Sequence, residues 1–249
     1  MAESDIWSYD GYVSSSAERL RDPRQRAERA ARILDVAADL LLRHGYRRVT
    51  IDDVAAGVGI GKGTVYLHWK TREQMFGAVF AREVLYAMDE LRQALRKEPQ
   101  ACLLHNFASA YFLAVVNRPL LRGFLLDDPH LLGKLTNSAD TARDDRHSVM
   151  ARDYLGLLAE HGLLRDDMRV DEIGYAYQAT FEGFLRAEGA ATAGGQEQRA
   201  DLLARTIQRA FESEQAIPET ALRDLAATTV ALIGGLIDAD RTVSGIPEA

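Results

Sequence analysis

The chain has 249 residues, a formal net charge of −7 and one cysteine. That length exceeds what one small domain needs, so a second unit is expected. A single cysteine excludes an intrachain disulfide and a thiolate zinc cluster, and the acidic total argues at first against a polyanionic partner. The distribution of charge reverses that argument. From Arg21 to Met75 eleven Lys/Arg stand against seven Asp/Glu, a net of +4 that leaves −11 for the rest. A basic end on an acidic body is expected where only that end meets nucleic acid.

In chain order, residues 1–22 read as a flexible tail that includes Ser14, Ser15 and Ser16. Its acidic, polar start, MAESDIWSYDGYVSSSAERL, is unlike a signal peptide. From Arg24 to His44, Ile33, Ala37, Leu40 and Leu41 recur at helical spacing before Gly45. Thr50 precedes Ile51, Val54, Ala55 and Val58, one face of a helix over about 51–57, with Asp53 placed to complete a hydroxyl–carboxylate cap. Gly59 offers the left-handed turn that stops this helix. A second short helix fits Gly61 to Leu67, and Thr71 with Gln74 opens a long helix beginning REQMFGAVFAREVL. Helix, glycine turn and short helix make a helix-turn-helix. Val49, Ile51, Val54, Val65 and Leu67 are the expected contacts among the head helices, and Trp69 is expected to close the bottom of that core.

The glycines of GVGIGKGTVYLHWK, residues 57–70, raise a nucleotide alternative. A P-loop needs Gly-Lys-Ser/Thr with another Gly five positions earlier. Here Gly61 and Lys62 precede Gly63, and Ala56 occupies the earlier position. The dinucleotide fingerprint fails at Lys62 and Thr64, and no strand feeds the loop. A helical nucleotide-binding enzyme using Lys62 is therefore the weakest reading, and no catalytic set stands out. The six histidines show no HExxH pattern, so neither a metal nor a cofactor is expected.

The segment TIDDVAAGVGIGKGTVYLHWKTREQM resembles the TetR family of one-component transcriptional repressors. Hydroxyl cap, turn glycine, Lys62, Gly63, Thr64, Tyr66 and His68 fall at that family's spacings, within a signature covering about residues 26–76. Gly61 stands where the family has Ser, and Trp69 where it has Phe. The resemblance implies an all-α homodimer that binds a palindromic double-stranded DNA operator and is released by a small molecule. On these positions, Thr50, Tyr66 and Lys70 are expected to hold phosphates, while Lys62, Gly63 and Thr64 face base edges. His68 is expected either to touch phosphate or to pack.

The body reads as helices over about 72–97, 100–117, 119–126, 129–135, 139–162, 171–188, 197–214 and 219–239, punctuated by Pro99, Pro119, Pro129, Gly162, a flexible stretch at Gly189 to Gln198, and Pro218. Cys102 lies in an apolar helical run and is expected to pack. No apolar run is seen to approach the ~20 residues that span a bilayer, so a cytoplasmic protein without membrane contact is expected. Ile173, Ala176, Tyr177, Thr180 and Phe184 form one stripe, beside the small Gly174, Gly183 and Ala187. The last run is apolar nearly all round, through Leu222, Leu225, Val230, Ile233 and Ile237. The resemblance makes two of the last three helices the dimer surface without saying which two. Phe107, Tyr111, His147, Met150, Tyr154, Tyr177 and Phe181 suit an apolar cavity with a few polar groups, fit for a hydrophobic or aromatic effector.

The expected architecture is therefore all-α. A three-helix helix-turn-helix DNA-binding domain spans 23–75, and a larger helical effector-binding and dimerisation domain spans 76–241, with a flexible tail at 242–249. A DNA-binding regulator without any effector is the main alternative.

Overall fold

The computed structural model describes residues 22–133, 135, 141–188 and 194–244. Residues 1–21 of the expected N-terminal tail, 189–193 of the glycine-rich stretch and 245–249 at the end lie outside the described residues. Among the described residues the elements are helices, with one isolated bridge between Leu164 and Glu212.

Helix α1 (Pro23–His44) starts on Asp22, whose carboxylate accepts from the Arg24 amide at 3.0 Å. Asp22, expected in the tail, is thus a cap. In α2 (Ile51–Val58) the Asp53 amide donates to the Thr50 hydroxyl at 3.2 Å, and the Thr50 amide donates back to the Asp53 carboxylate at 2.8 Å. Gly59, at φ 75° and ψ 36°, turns the chain in the left-handed region. Helix α3 (Lys62–Tyr66) follows without a side-chain cap, because Gly61 has none to offer. Thr71 accepts from the Gln74 amide at 3.1 Å to start α4 (Arg72–Lys97).

Ile33 and Leu41 of α1, Val54, Val65, and Phe76 and Val79 of α4 form the head core. Trp69 is half-buried against it. Leu67, expected inside, is 57% exposed. It sits past the end of a five-residue helix that has one inward position, taken by Val65.

The second half of α4 contributes Leu91 and Leu95 to the body core, so the expected boundary at residue 75 falls inside one continuous helix. The head core also takes in Leu120 of α6 (Pro119–Leu125) and Leu131 and Leu132 of α7 (Pro129–Leu132). The Tyr46 amide donates to the His130 carbonyl at 2.9 Å, and Phe124 stacks on Phe80 with ring centres 5.5 Å apart. Buried Arg82 of α4 donates to Asp35 of α1 at 2.7 Å, tying the first helix to the long one.

The body comprises a 3-10 turn (Pro99–Cys102), α5 (Leu104–Val116), α8 (Thr141–Glu160), α9 (Val170–Ala187), α10 (Gln196–Phe211) and α11 (Glu219–Ser244). Helix α5 is apolar around its circumference and is enclosed by α4, α9 and α10. Helix α11 lies along α4, the 3-10 turn and α8, and runs to Ser244, past the expected helix end at 239 and into the stretch expected as a flexible tail from 242. Its Glu219–Thr242 stretch has a mean hydropathy of 1.4 and is long and apolar enough to cross a bilayer by length and composition. That corrects the expectation that no run comes close. Arg223, Asp224 and Asp238 break a strictly apolar run yet leave the average high. Leu225, Ile233 and Ile237 seat this helix in the body core, and its Asp240 is buried in an ion-pair cluster.

Ile173, Ala176, Tyr177 and Phe184 of α9 also face the body core. Of this stripe Ile173 is buried, while Ala176, Tyr177, Thr180 and Phe184 are half-buried.

Candidate functional site

Two regions gather the residues singled out above. On the head, Lys62, Gly63 and Tyr66 are exposed along α3, with Thr64 half-buried beside them. A Cβ built on Gly63 would meet no atom within 4 Å, so that face is open to close approach by another surface. Thr50 is exposed at the start of α2, its hydroxyl 2.7 Å from the Asp53 carboxylate, which these bonds hold below the usual range. Lys70 is exposed just before α4, its amide donating to Gln74 at 2.8 Å. Thr50, Lys62 and Lys70 lie at or just before the starts of α2, α3 and α4, where unpaired backbone N–H groups and the helix dipole favour an anion, while Tyr66 closes α3 at its other end.

Two features escaped the sequence reading. The Lys62 ammonium is 2.7 Å from Asp52, a pairing across the turn that no helical period encodes. Arg26 donates to the Leu67 carbonyl at 3.4 Å, pinning the end of α3 to α1. His68 is half-buried beside Trp69, ring centres 5.4 Å apart. Burial, then the nearby Arg26 and Arg29, lowers its pKa from 6.5.

In the body, Phe107, Tyr111, His147, Met150, Tyr154, Tyr177 and Phe181 all line one cavity of about 780 Å³, with walls from α4, α5, α6, α8 and α9. That volume lies in the range of small-molecule pockets. Tyr111 stacks on Phe181 at 5.2 Å and 15°, and Phe107 on Tyr154 at 4.5 Å and 28°. The Tyr154 hydroxyl donates to the Cys102 carbonyl at 2.7 Å, so this tyrosine also holds the 3-10 turn. His147 donates through Nε2 to the Asp240 carboxylate at 2.8 Å, and Arg146 donates to it at 2.7 Å. Burial alone would raise the Asp240 carboxyl, but hydrogen bonds from His147 and Arg146 outweigh it and leave it lowered. Asp240 was missed in the sequence because it sits 93 residues from His147. Leu125 of α6 reaches the cavity, while its neighbour Phe124 packs against both cores, so the wall and the head share one short helix.

A helix-turn-helix head fused through one long helix to a helical body with an apolar cavity defines a class of two-part regulatory folds. Residues 33–79 match the family model for "Bacterial regulatory proteins, tetR family". An uncharacterized HTH-type transcriptional regulator of Mycobacterium tuberculosis is 39% identical over 70 residues, 28% of this chain and 35% of that protein. An HTH-type transcriptional repressor of the same organism is 38% identical over 117 residues, 44% of this chain and 55% of its own length. The matched regions thus span between a third and just over half of those relatives. Among solved structures, the SmeT–triclosan complex superposes with a TM-score of 0.56 at 20% identity, covering 78% of this chain and 97% of that one. A putative transcriptional regulator from Saccharomonospora viridis in complex with choline gives 0.56 at 20%, covering 75% and 99%. These two likenesses are of fold. The head belongs to the TetR family, and the chain takes that family's two-part helical fold.

Proposed function

We propose that the protein is a cytoplasmic DNA-binding transcriptional repressor that acts as a homodimer on a palindromic operator and is released by a small apolar effector. The observation that carries the DNA reading is the edge of α3 formed by exposed Lys62 and Gly63 with half-buried Thr64, flanked by Thr50, Tyr66 and Lys70 at neighbouring helix ends. Thr50, Tyr66 and Lys70 position the duplex through phosphates, while Lys62, Gly63 and Thr64 approach base edges. Lys62 must leave Asp52 to do so, which favours a site that offers a better partner than an exposed carboxylate. The half-burial of His68 favours packing over phosphate contact.

The cavity supports the effector half of the reading, and that part rests on its size, its stacked walls and its reach through α6 to the head. The relatives include one named as a repressor and one named as an activator, FasR of Mycolicibacterium smegmatis. Repression is preferred because the relative named as a repressor matches over 44% of this chain and the one named as an activator over 28%.

The test is selection of bound fragments from genomic DNA, followed by titration of the selected site. A two-fold symmetric sequence is expected, and Lys62→Ala is expected to lose about 1–3 kcal/mol of discrimination at single positions. An apolar effector is expected to raise Tm and weaken operator binding by about 5- to 150-fold. Tyr111→Ala should blunt both ligand effects and leave ligand-free DNA affinity intact. Failure to select any site above bulk DNA would leave the DNA reading without support.

A further inference from the structure

We propose that the cavity selects an uncharged, flat ring system bearing carbonyl or quinone oxygens, with the phenols of Tyr111 and Tyr177 as the paired donors that recognise them. The inference rests on the effector reading above and specifies what the effector is. Tyr111 on α5 and Tyr177 on α9 both stack against Phe181, at 5.2 Å and 6.1 Å between ring centres and interplanar angles of 15° and 21°. Near-parallel rings line this side of the cavity with a stack of aromatic surfaces, and a planar ring system can extend such a stack by offset packing.

The three cavity tyrosines divide by what their hydroxyls do. Tyr154 is committed to the Cys102 carbonyl at 2.7 Å. Tyr111 and Tyr177 have no hydrogen-bond partner among the described residues, although both line the cavity. Burial pushes the Tyr111 phenol up to about 12 and raises Tyr177 further, so both keep their protons and serve as donors near neutral pH. Two O–H groups without a protein partner, on half-buried tyrosines that line an apolar cavity, can serve acceptors on a ligand.

Charge is disfavoured by the same wall. Arg169 is paired with Asp171, Glu182 with Arg186 at 3.8 Å while it also accepts from the Gln178 amide at 3.0 Å, and His147 is held by Asp240 at 2.8 Å. Arg152 is exposed on α8 and cannot neutralise an ion lying among the buried rings. A permanently charged ligand would lose its hydration there without gaining a counter-ion.

Three tricyclic probes of similar outline test this: anthracene, 9,10-anthraquinone and anthraquinone-2-sulfonate. Dissociation constants would be measured on the full chain by quenching of its intrinsic emission. Anthraquinone is expected to bind at least about tenfold tighter than anthracene, the effect of two neutral hydrogen bonds. It should also bind tighter than the sulfonate. In Tyr111→Phe/Tyr177→Phe the preference over anthracene should vanish while anthracene binds as before. Should that double variant melt early, each single Phe variant is measured in its place and should lose part of the preference.

Equal binding of anthracene and anthraquinone by the wild type overturns the inference, as does a preference that survives removal of both hydroxyls. Failure of the effector reading itself has a different signature. In that case no apolar compound in a broad set raises Tm or alters operator affinity.

Discussion

Lys70 is exposed before α4, and its ammonium has no partner among the described residues, so nothing in the head competes with a phosphate for it. Lys70→Ala is expected to weaken binding to all DNA sequences alike and to lower the salt slope by about one, read by anisotropy titrations over a salt series. Unchanged affinity and slope would remove Lys70 from the interface. His68 differs in kind, because its pKa is lowered from 6.5, first by burial and then by Arg26 and Arg29. The unfolded chain therefore binds a proton at His68 more readily than the folded head. Its stabilising effect is fully present above the unfolded value of 6.5 and declines as pH falls through 6.5 towards the lower folded value. Between about pH 7.5 and about pH 5.5, wild-type Tm should fall further than that of His68→Gln. Parallel pH profiles for the two proteins would show that His68 does not titrate differently on folding.

At the level of elements, the loop between α1 and α2 docks on α7 and on the start of α4. Gly45, at φ 73° and ψ 163°, adopts backbone that glycine alone takes without strain, and a Cβ there would lie 2.4 Å from the His130 ring of α7. Tyr46 is held on both sides. Its amide donates to the His130 carbonyl, while its carbonyl accepts from Arg72, whose guanidinium lies 4.0 Å from the Tyr46 ring centre. Gly45→Ala is expected to cost about 1–3 kcal/mol in backbone strain, with a contact penalty in addition, and to lower Tm measurably. Gly61→Ser is the contrasting substitution. Gly61 is extended, meets no atom within 4 Å of a built Cβ, and caps α3 without a side chain. Serine there should leave Tm unchanged or raise it by the few tenths of a kcal/mol that separate the two caps. A Tm for Gly45→Ala equal to that of the wild type would show that this junction is loose.

At the scale of the molecule, the question is which face pairs two chains. Helix α11 is seated along α4, the 3-10 turn and α8 of its own chain. Helices α9 and α10 instead carry two of the most exposed large apolar side chains of the body, Tyr175 at 80% and Leu202 at 49%. Exposed Ala179 and Gly183 on α9 and Ala210 on α10 allow close approach beside them. The dimer proposed above is therefore placed on α9 and α10. Sedimentation should give about twice the 27.6 kDa chain mass. Leu202→Asp should shift the mass towards the monomer, and Ala231→Asp, on the outer side of α11, should not. The reverse outcome would move the interface to the last helix.

The sequence by itself determined the local events. Thr50 with Asp53, Gly59 and the period of Ile51, Val54 and Ala55 place α2 and its turn, because caps, left-handed glycines and helical periods act within a few residues. The proline breaks placed the starts of α6 and α7 for the same reason. The seven aromatic and polar positions of the body were grouped from the sequence as one cavity, and all seven line one; that α4 and α6 also close it, through Met88 and Leu125, came only from the packing of the chain. Only the tertiary structure decided that Lys62 rests on Asp52, that His147 is held by Asp240, that Leu67 faces outward, and that Ile173 of the α9 stripe is buried. Periodicity identifies an apolar face, but what covers that face is decided by the packing of the whole chain.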